Sequence, residues 1–259
     1  MIREILARIQ QGHRTLRYPA APPPPPPERF RGRPTIDSSR CPDGCRACAD
    51  ACPTAAISIT DKARIDLGKC LFCTDCVEAC PEGALTYSGD HRLSTRTREA
   101  LVVAEDEQLQ LARALDRKLR RLFGRSLKLR QVSAGGCNAC ESDGNVLGTV
   151  GWDLSRFGIQ MVASPRHADG LLITGCITEN MKLALQKTYD AVPPPKIVIA
   201  VGACAISGGP YLESPRQHCG AGSTVPVDLY IPGCPPHPLT ILDGLLRLLG
   251  RIEGKERGT

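Results

Sequence analysis

Apolar positions divide the chain into stretches of different period. In residues 1–18, Ile2, Ile5, Leu6 and Ile9 recur at helical spacing with Arg3 and Arg8 on the polar side, which predicts an amphipathic helix. Such a helix suits a membrane surface, a partner, or its own domain. Pro22 to Pro27 follow, six consecutive prolines that predict a stiff polyproline II rod spacing the helix from the body. In 91–126, Leu111, Leu115, Leu119 and Leu122 with Phe123 mark one helical face, and Arg113, Arg117, Lys118, Arg120 and Arg121 crowd the rest. This predicts a basic helical connector whose charged side is either solvated or a docking surface. From 127 the pattern becomes short Val/Ile/Leu-rich runs. Strands are predicted at 127–132, 158–163, 171–174, 197–201 and 227–231, and helices at 179–191 and 238–249. Short apolar strands separated by helices or long loops read as a mostly parallel sheet. No uninterrupted apolar run reaches the ~18 residues of a membrane span, so membrane association is expected to be peripheral.

Between the proline rod and the connector the chain repeats itself. CRACADACPTAAI matches CTDCVEACPEGAL at an offset of 28 residues. Two such halves predict a pseudo-two-fold pair, each a short strand, a ligand loop and a helical turn. So small a unit has little apolar core, which couples its folding to metal binding.

The candidate chemistry is sulfur. Twelve of the fourteen cysteines sort into three sets of four. Cys41, Cys45, Cys48 and Cys52 precede Pro53; Cys70, Cys73, Cys76 and Cys80 precede Pro81; Cys137, Cys140, Cys204 and Cys234 are spread over the C-terminal half. A cubane [4Fe–4S] cluster needs one thiolate on each iron. Cysteines at x2 spacing in a tight turn reach three corners, and the fourth thiolate must come from elsewhere. All four ligands of the third set follow predicted strands, and sites in open parallel sheets collect at the carboxyl ends of strands. Zinc on paired C-x-x-C motifs is the alternative, but a doubled four-Cys run with trailing proline is not the usual form of a zinc module. Cys176 and Cys219 are left over, the first expected as a buried thiol and the second in a loop.

Composition removes several classes. Apolar residues make up 42% and aromatics 4%, so packing rests on Ala, Val, Leu and Ile. The net charge of +6 is too mild to imply nucleic acid by itself. A stand-alone iron–sulfur sensor binding nucleic acid through the arginines at 113–121 lacks any accompanying motif. Charges interrupt every apolar run at the start, so no secretory h-region is present, and the cysteine clustering fits ligation better than disulfides. Both point to a reducing, cytoplasmic compartment. Gly202, Gly208 and Gly209 spell no dinucleotide fingerprint and there is no P-loop, so no bound nucleotide or flavin is expected. Those glycines are read as letting the backbone approach a cluster.

Two resemblances extend this reading. Residues 35–90 resemble the two-cluster bacterial ferredoxins, in which the fourth Cys of each run ligates the other cluster. The resemblance implies Cys41, Cys45, Cys48 and Cys80 at the first cluster, and Cys70, Cys73, Cys76 and Cys52 at the second. The first run departs from the pattern, as C-x3-C-x2-C with Pro42, Asp43 and Gly44 between its first ligands. Residues 127–250, with SPRHADGLLITG, GACAISGG and VPVDLYIPGCPPHP in that order, resemble the 20-kilodalton subunit of respiratory complex I and the small subunits of membrane-bound [NiFe] hydrogenases. That implies a third cluster on Cys137, Cys140, Cys204 and Cys234, facing a catalytic large subunit. Complex I members carry adjacent cysteines at the first site. GGCNACE instead resembles the formate-hydrogenlyase-type hydrogenases. By the same resemblance Glu141 is a candidate proton relay, while Asp143 stands where that branch tends to carry Glu. Arg166 and His167 are candidates to tune the cluster or fix a loop.

The expected fold is thus an α+β ferredoxin-like two-cluster module followed by an α/β domain with a mostly parallel sheet. The expected boundaries are 1–34 for the amphipathic helix and Pro-rich linker, 35–90 for the ferredoxin domain, 91–126 for the connector and 127–252 for the third-cluster domain. The expected function is electron transfer through three [4Fe–4S] clusters in a membrane-associated, hydrogenase-type oxidoreductase, the chain not being catalytic alone. The alternative is a complex I-like quinone-reducing subunit with an N2-like cluster. The expected partners are a hydrogenase-like or complex I 49-kilodalton-like large subunit and membrane subunits, with no nucleic acid. The expected location is the cytoplasmic face of the membrane.

Overall fold

A computed structural model describes residues 2–12, 14–60, 63–105 and 107–252. The chain opens with helix α1 (Ile2–Gln11), none of whose residues is buried. Ile2, Ile5, Leu6 and Ile9 are all more than half exposed, as a one-faced helix without a covering partner must be. The proline rod does not simply hold this helix away. Both its ends are anchored on the body, through Leu16 N–H to the Gly151 carbonyl, Tyr18 O–H to Asp243 Oδ1 at 2.7 Å, and the Phe30 ring edge-on to His237.

The repeat builds the next unit. Strand β1 (Pro34–Ile36), helical turn α2 (Ala47–Asp50) and β2 (Ile57–Ile59) are followed by β3 (Ala63–Asp66), α3 (Asp75–Glu78) and β4 (Leu85–Tyr87). Strand β1 pairs antiparallel with β4, and β2 with β3. The 28-residue offset carries α2 onto α3 and β2 onto β4. It also carries the backbone's unusual points. Gly44 (φ 74°) maps on Phe72 (φ 54°), and Ala55 (φ 48°) on Gly83 (φ 59°). The ligand loops therefore fold alike although the first has one extra residue before Cys45.

The connector differs from its expectation. Its first part supplies β5 (Val102–Ala104), which pairs antiparallel with β3 and extends that sheet to three strands. Thr95 bridges Tyr230, and Leu109, Ala112 and Leu115 are buried. Among its described residues the one α-helix is α4 (Arg117–Phe123), capped by the Asp116 side chain accepting from Leu119 N–H. The leucine spacing at 111–115 reports burial by an extended strap, not a helix; an apolar residue every third or fourth position is ambiguous when the segment is pressed on a neighbour.

The C-terminal elements match the strand pattern closely. They are β6 (Leu127–Ser133), α5 (Ala139–Val146), β7 (Ile159–Met161), β8 (Gly170–Thr174), α6 (Glu179–Ala191), β9 (Ile197–Val201), α7 (Ala203–Ser207), β10 (Leu229–Ile231) and α8 (Pro238–Leu248). The strands form an all-parallel sheet in the order β10-β9-β8-β6-β7. Every residue of β8 and β9 is buried, which explains their continuous apolar runs.

One hydrophobic core spans both modules. Ile36, Ile57, Ile65 and Leu85 of the repeat unit share it with Val132, Leu171, Ile173 and Ile206. At the seam Ser207 Oγ donates to the Gly68 carbonyl at 2.9 Å, and a β-carbon on Gly68 would lie 2.8 Å from Ile206 Cγ2. Arg98 adds a two-pronged ion pair to Asp66 at 2.6 and 2.7 Å. Among the described residues no helix is long and apolar enough to cross a membrane.

Candidate metal centres

The cysteines gather as three groups, each marked by thiols that burial and neighbouring sulfurs raise. In the first, Cys41 is raised by desolvation and then by Cys80 and Cys45, and Cys48 by desolvation and then by Cys80 and Cys41. In the second, desolvation pushes Cys70 up to about 12 and Cys76 up to about 11, with Cys73 and Cys52 adding to both. Cys80 thus stands with the first run and Cys52 with the second, the crossed arrangement that the ferredoxin pattern implies. The two helical turns after the middle ligands lie side by side and deliver each fourth cysteine to the opposite loop.

Backbone amides are aimed at the sulfurs. Ala56 N–H donates to Cys52 Sγ at 3.2 Å, and Ala84 N–H, 28 residues on, to Cys80 Sγ at 3.3 Å. Phe72 N–H donates to Cys70 Sγ at 3.3 Å. Such donors stabilise thiolate charge and raise the potential of a cluster held there. Tyr87 O–H donates to the Cys73 carbonyl and fixes that loop.

The third group sits on the rim of the parallel sheet. Cys137 and Cys140 follow β6, Cys204 follows β9 and Cys234 follows β10. Burial raises Cys140, and Cys204, Glu141, Cys234 and Cys137 reinforce it; burial likewise pushes Cys204 up to about 12, with Cys234 the next contributor. Strand order reverses about β6, whose successors in the chain, β7 and β8, lie on opposite sides of it. Crevices open at such points. Asn138 takes a left-handed conformation (φ 70°) at the head of α5, which turns the C-x-x-C pair. Gly202 (φ 90°) lets the β9 loop pass so close that a β-carbon there would meet Cys140 Sγ at 2.5 Å; one on Gly209 would meet Cys204 Sγ at 2.8 Å. Gly208 instead makes room for Gln217.

The residues present suit iron–sulfur clusters. Every donor in each group is a thiol. Cys52, Cys70, Cys73 and Cys76 wall one small common cavity. Four thiols around one such volume match a cluster with one thiolate at each corner.

The remaining candidates are placed as follows. Glu141 is buried beside Cys140 and accepts a hydrogen bond from Thr174 Oγ1 at 2.7 Å. Asp143 is raised by burial and shares a cavity wall with His237, whose own value is lowered by burial. Arg166 and His167 lie in the turn after β7, and among the described residues no hydrogen bond or ion pair ties them to the thiols. Cys176 is buried, donates to the Gly135 carbonyl at 3.2 Å, and lies near enough to raise Cys204. Cys219 is exposed. Sequence reasoning missed Thr174, the partner of Glu141, because a threonine ending an apolar strand carries no signal of its own. It also missed the meeting of the two modules' ligand loops: Phe72, next to Cys73, and Cys234 wall one cavity.

Comparison with known proteins agrees with this layout. Residues 40–84 match the 4Fe-4S dicluster domain model, and residues 137–248 match the model of the NADH ubiquinone oxidoreductase, 20 Kd subunit. The chain is 39% identical to the probable membrane-bound hydrogenase subunit mbhJ of Pyrococcus furiosus, over 54% of this chain and 84% of that one. It is 44% identical to formate hydrogenlyase subunit 7 of Escherichia coli, over 51% of each. An NADH-quinone oxidoreductase subunit of Clostridium beijerinckii is 45% identical, over 45% of this chain and 70% of that one. Among solved structures, a chain of the archaeal membrane-bound sulfane sulfur reductase aligns with a TM-score of 0.46 at 34% identity, covering 55% of this chain and 78% of that one. The chain belongs to the NADH ubiquinone oxidoreductase 20 Kd subunit family and carries a 4Fe-4S dicluster domain ahead of the family's own.

Proposed function

We propose that this chain is the electron-transfer subunit of a membrane-associated, [NiFe]-hydrogenase-type complex of the formate-hydrogenlyase kind. In this reading it holds three [4Fe–4S] clusters, on Cys41, Cys45, Cys48 and Cys80, on Cys70, Cys73, Cys76 and Cys52, and on Cys137, Cys140, Cys204 and Cys234. The observation that carries it is the continuity of the three thiol groups: Cys52 walls one cavity with Cys70, Cys73 and Cys76, and Phe72, between Cys70 and Cys73, walls another with Cys234 at the seam. The clusters supply one-electron oxidation and reduction. The protein holds the sulfurs and aims amides at them.

The large subunit of the complex docks over the exposed rim bearing Cys137 and Cys234. The hydrogenase reading is favoured by the C-x-x-C spacing and by the relatives from Pyrococcus furiosus and Escherichia coli. Glu141, buried beside Cys140, is the candidate proton relay in that assembly. The quinone-reducing reading is favoured by the similarity to the NADH-quinone oxidoreductase relative from Clostridium beijerinckii. The complex works at the cytoplasmic face of the membrane.

Anaerobic co-purification with the partner, followed by iron, sulfide, nickel and zinc analysis, tests the proposal. About twelve irons per chain are expected, four for each cubane, with nickel in the partner. A colourless, zinc-loaded protein rejects it. Nickel-free partner with quinone-dependent turnover selects the second reading. Cys52→Ala should empty the site on Cys70, Cys73 and Cys76, and leave the site on its own run loaded.

A further inference from the structure

The two halves of the repeat differ at one telling position. The first places Gly44 in the left-handed region; the second places Phe72 there, at φ 54°. A residue with a bulky side chain is disfavoured in that conformation, and persists where its surroundings hold it. Phe72 lies between Cys70 and Cys73, and its side of the loop meets the other module. With Phe30, Gly233, Cys234, Pro236 and His237 it walls a cavity of about 290 Å³ at the seam. The Phe72 amide donates to Cys70 Sγ, and its carbonyl accepts from Arg31 Nη1. Arg31 belongs to a strap that is itself pinned: Gly89 N–H donates to the Arg31 carbonyl at 2.9 Å, and the Phe30 and His237 rings meet edge-on at 5.1 Å. Phe72, next to Cys73, and Cys234 thus face the same cavity from opposite sides of this seam.

We propose that Phe72 is the positioning residue for electron transfer across this seam. Its ring holds the Cys70–Cys73 loop against the Cys234 loop and keeps water from the gap, and the strap at 29–33 braces it from outside. With clusters held by the second and third thiol sets, the step it would serve is the passage of one electron between them. One is reduced as the other is oxidised, and no bond is made or broken. The external donor and the large subunit of the proposed complex supply the terminal reductant and oxidant. Glycine, which the backbone prefers and the first half of the repeat uses, would leave the gap open.

This inference rests on the cluster assignment above, and the experiment separates the two. Full-length protein is loaded anaerobically with iron and sulfide as the parent, Phe72→Leu, Phe72→Ala, Phe72→Gly and Phe30→Ala. Iron content is read first; a parent that takes up no iron at the Cys70, Cys73 and Cys76 site defeats the assignment. In loaded protein, amide exchange at 70–73 and at Gly233 and Cys234 should quicken about tenfold in Phe72→Ala and Phe72→Gly, and remain near the parent in Phe72→Leu. The midpoint potential of the second cluster should rise in the same two variants as water reaches it, while that of the first stays put. Phe30→Ala should show the same changes in weaker form. Normal loading with unchanged exchange and an unchanged second potential in Phe72→Ala and Phe72→Gly overturns the inference alone. If both fail to load, Phe30→Ala decides by the same two readouts.

Discussion

Asp243 is fully buried on α8 and serves two partners at once. Tyr18 O–H donates to one oxygen at 2.7 Å, and the nearly buried Arg247 donates Nε–H to the other at 2.7 Å. Removing the carboxylate leaves a buried guanidinium without its counter-charge, so Asp243→Ala should destabilise the protein by about 3–5 kcal/mol in denaturant unfolding. Tyr18→Phe removes one hydrogen bond and should cost about 1–2 kcal/mol. His91 stacks edge-on against Tyr18 at 6.0 Å, and burial holds its ring below the ordinary histidine range. A histidine lowered in the folded state stays neutral while the unfolded chain takes up a proton. Stability is therefore full above the unfolded value, about 6.5, and falls as the pH drops below it. The thermal midpoint should decline between pH 7 and 5.5, and His91→Gln should flatten that decline. At the third site, Gly202→Ala forces a β-carbon into Cys140 Sγ at a φ of 90°; iron analysis should show loss of about four irons per chain, one cubane's worth.

At the level of elements, legibility followed the strength of the periodic signal. The strands β8 and β9 and the helices α6 and α8 were readable because fully apolar runs of strand length and helical runs too long for a strand leave few alternatives. The two runs of four cysteines stood out because Pro53 and Pro81 end matched segments, whereas the crossing of Cys52 and Cys80 is an expectation of the ferredoxin resemblance. The stretch holding β5 was not. Val102–Ala104 is only three residues long and gains strand identity by pairing with β3, a long-range cause no local pattern encodes. The same holds for Leu111 and Leu115, whose helical spacing belongs to a strap packed between neighbours. The role of Thr174 and the shared cavity of the Phe72 and Cys234 loops were invisible for a related reason, since both arise from the meeting of segments remote in sequence. Central strands buried on both faces tolerate truncation poorly. Ile173→Ala in β8 should cost about 2–5 kcal/mol by the same unfolding measurement, with iron content at the third site falling alongside because Thr174 and the loop after it follow directly.

At the scale of the whole molecule, the repeat unit and the parallel-sheet domain behave as one folding body. Their core is continuous through Leu67, Leu101, Ile173 and Ile206, and the strap through Thr95 closes on β10. A fragment ending at residue 105 would expose that face, and hydrogen exchange should find it unprotected where the full chain is protected. Deleting residues 2–11 is the contrasting case. Helix α1 buries nothing, so its loss should shift unfolding by less than about 0.5 kcal/mol. The seam at Gly68, where Ser207 and Ile206 lock the first module onto the helix bearing Cys204, has a kinetic meaning. Separate carrier proteins must diffuse, collide and orient before each transfer, and their traffic slows in thick or salty media. Here both stations are welded into one body, so the internal hop should be indifferent to viscosity and ionic strength, and any such sensitivity in turnover must originate where a foreign carrier lands.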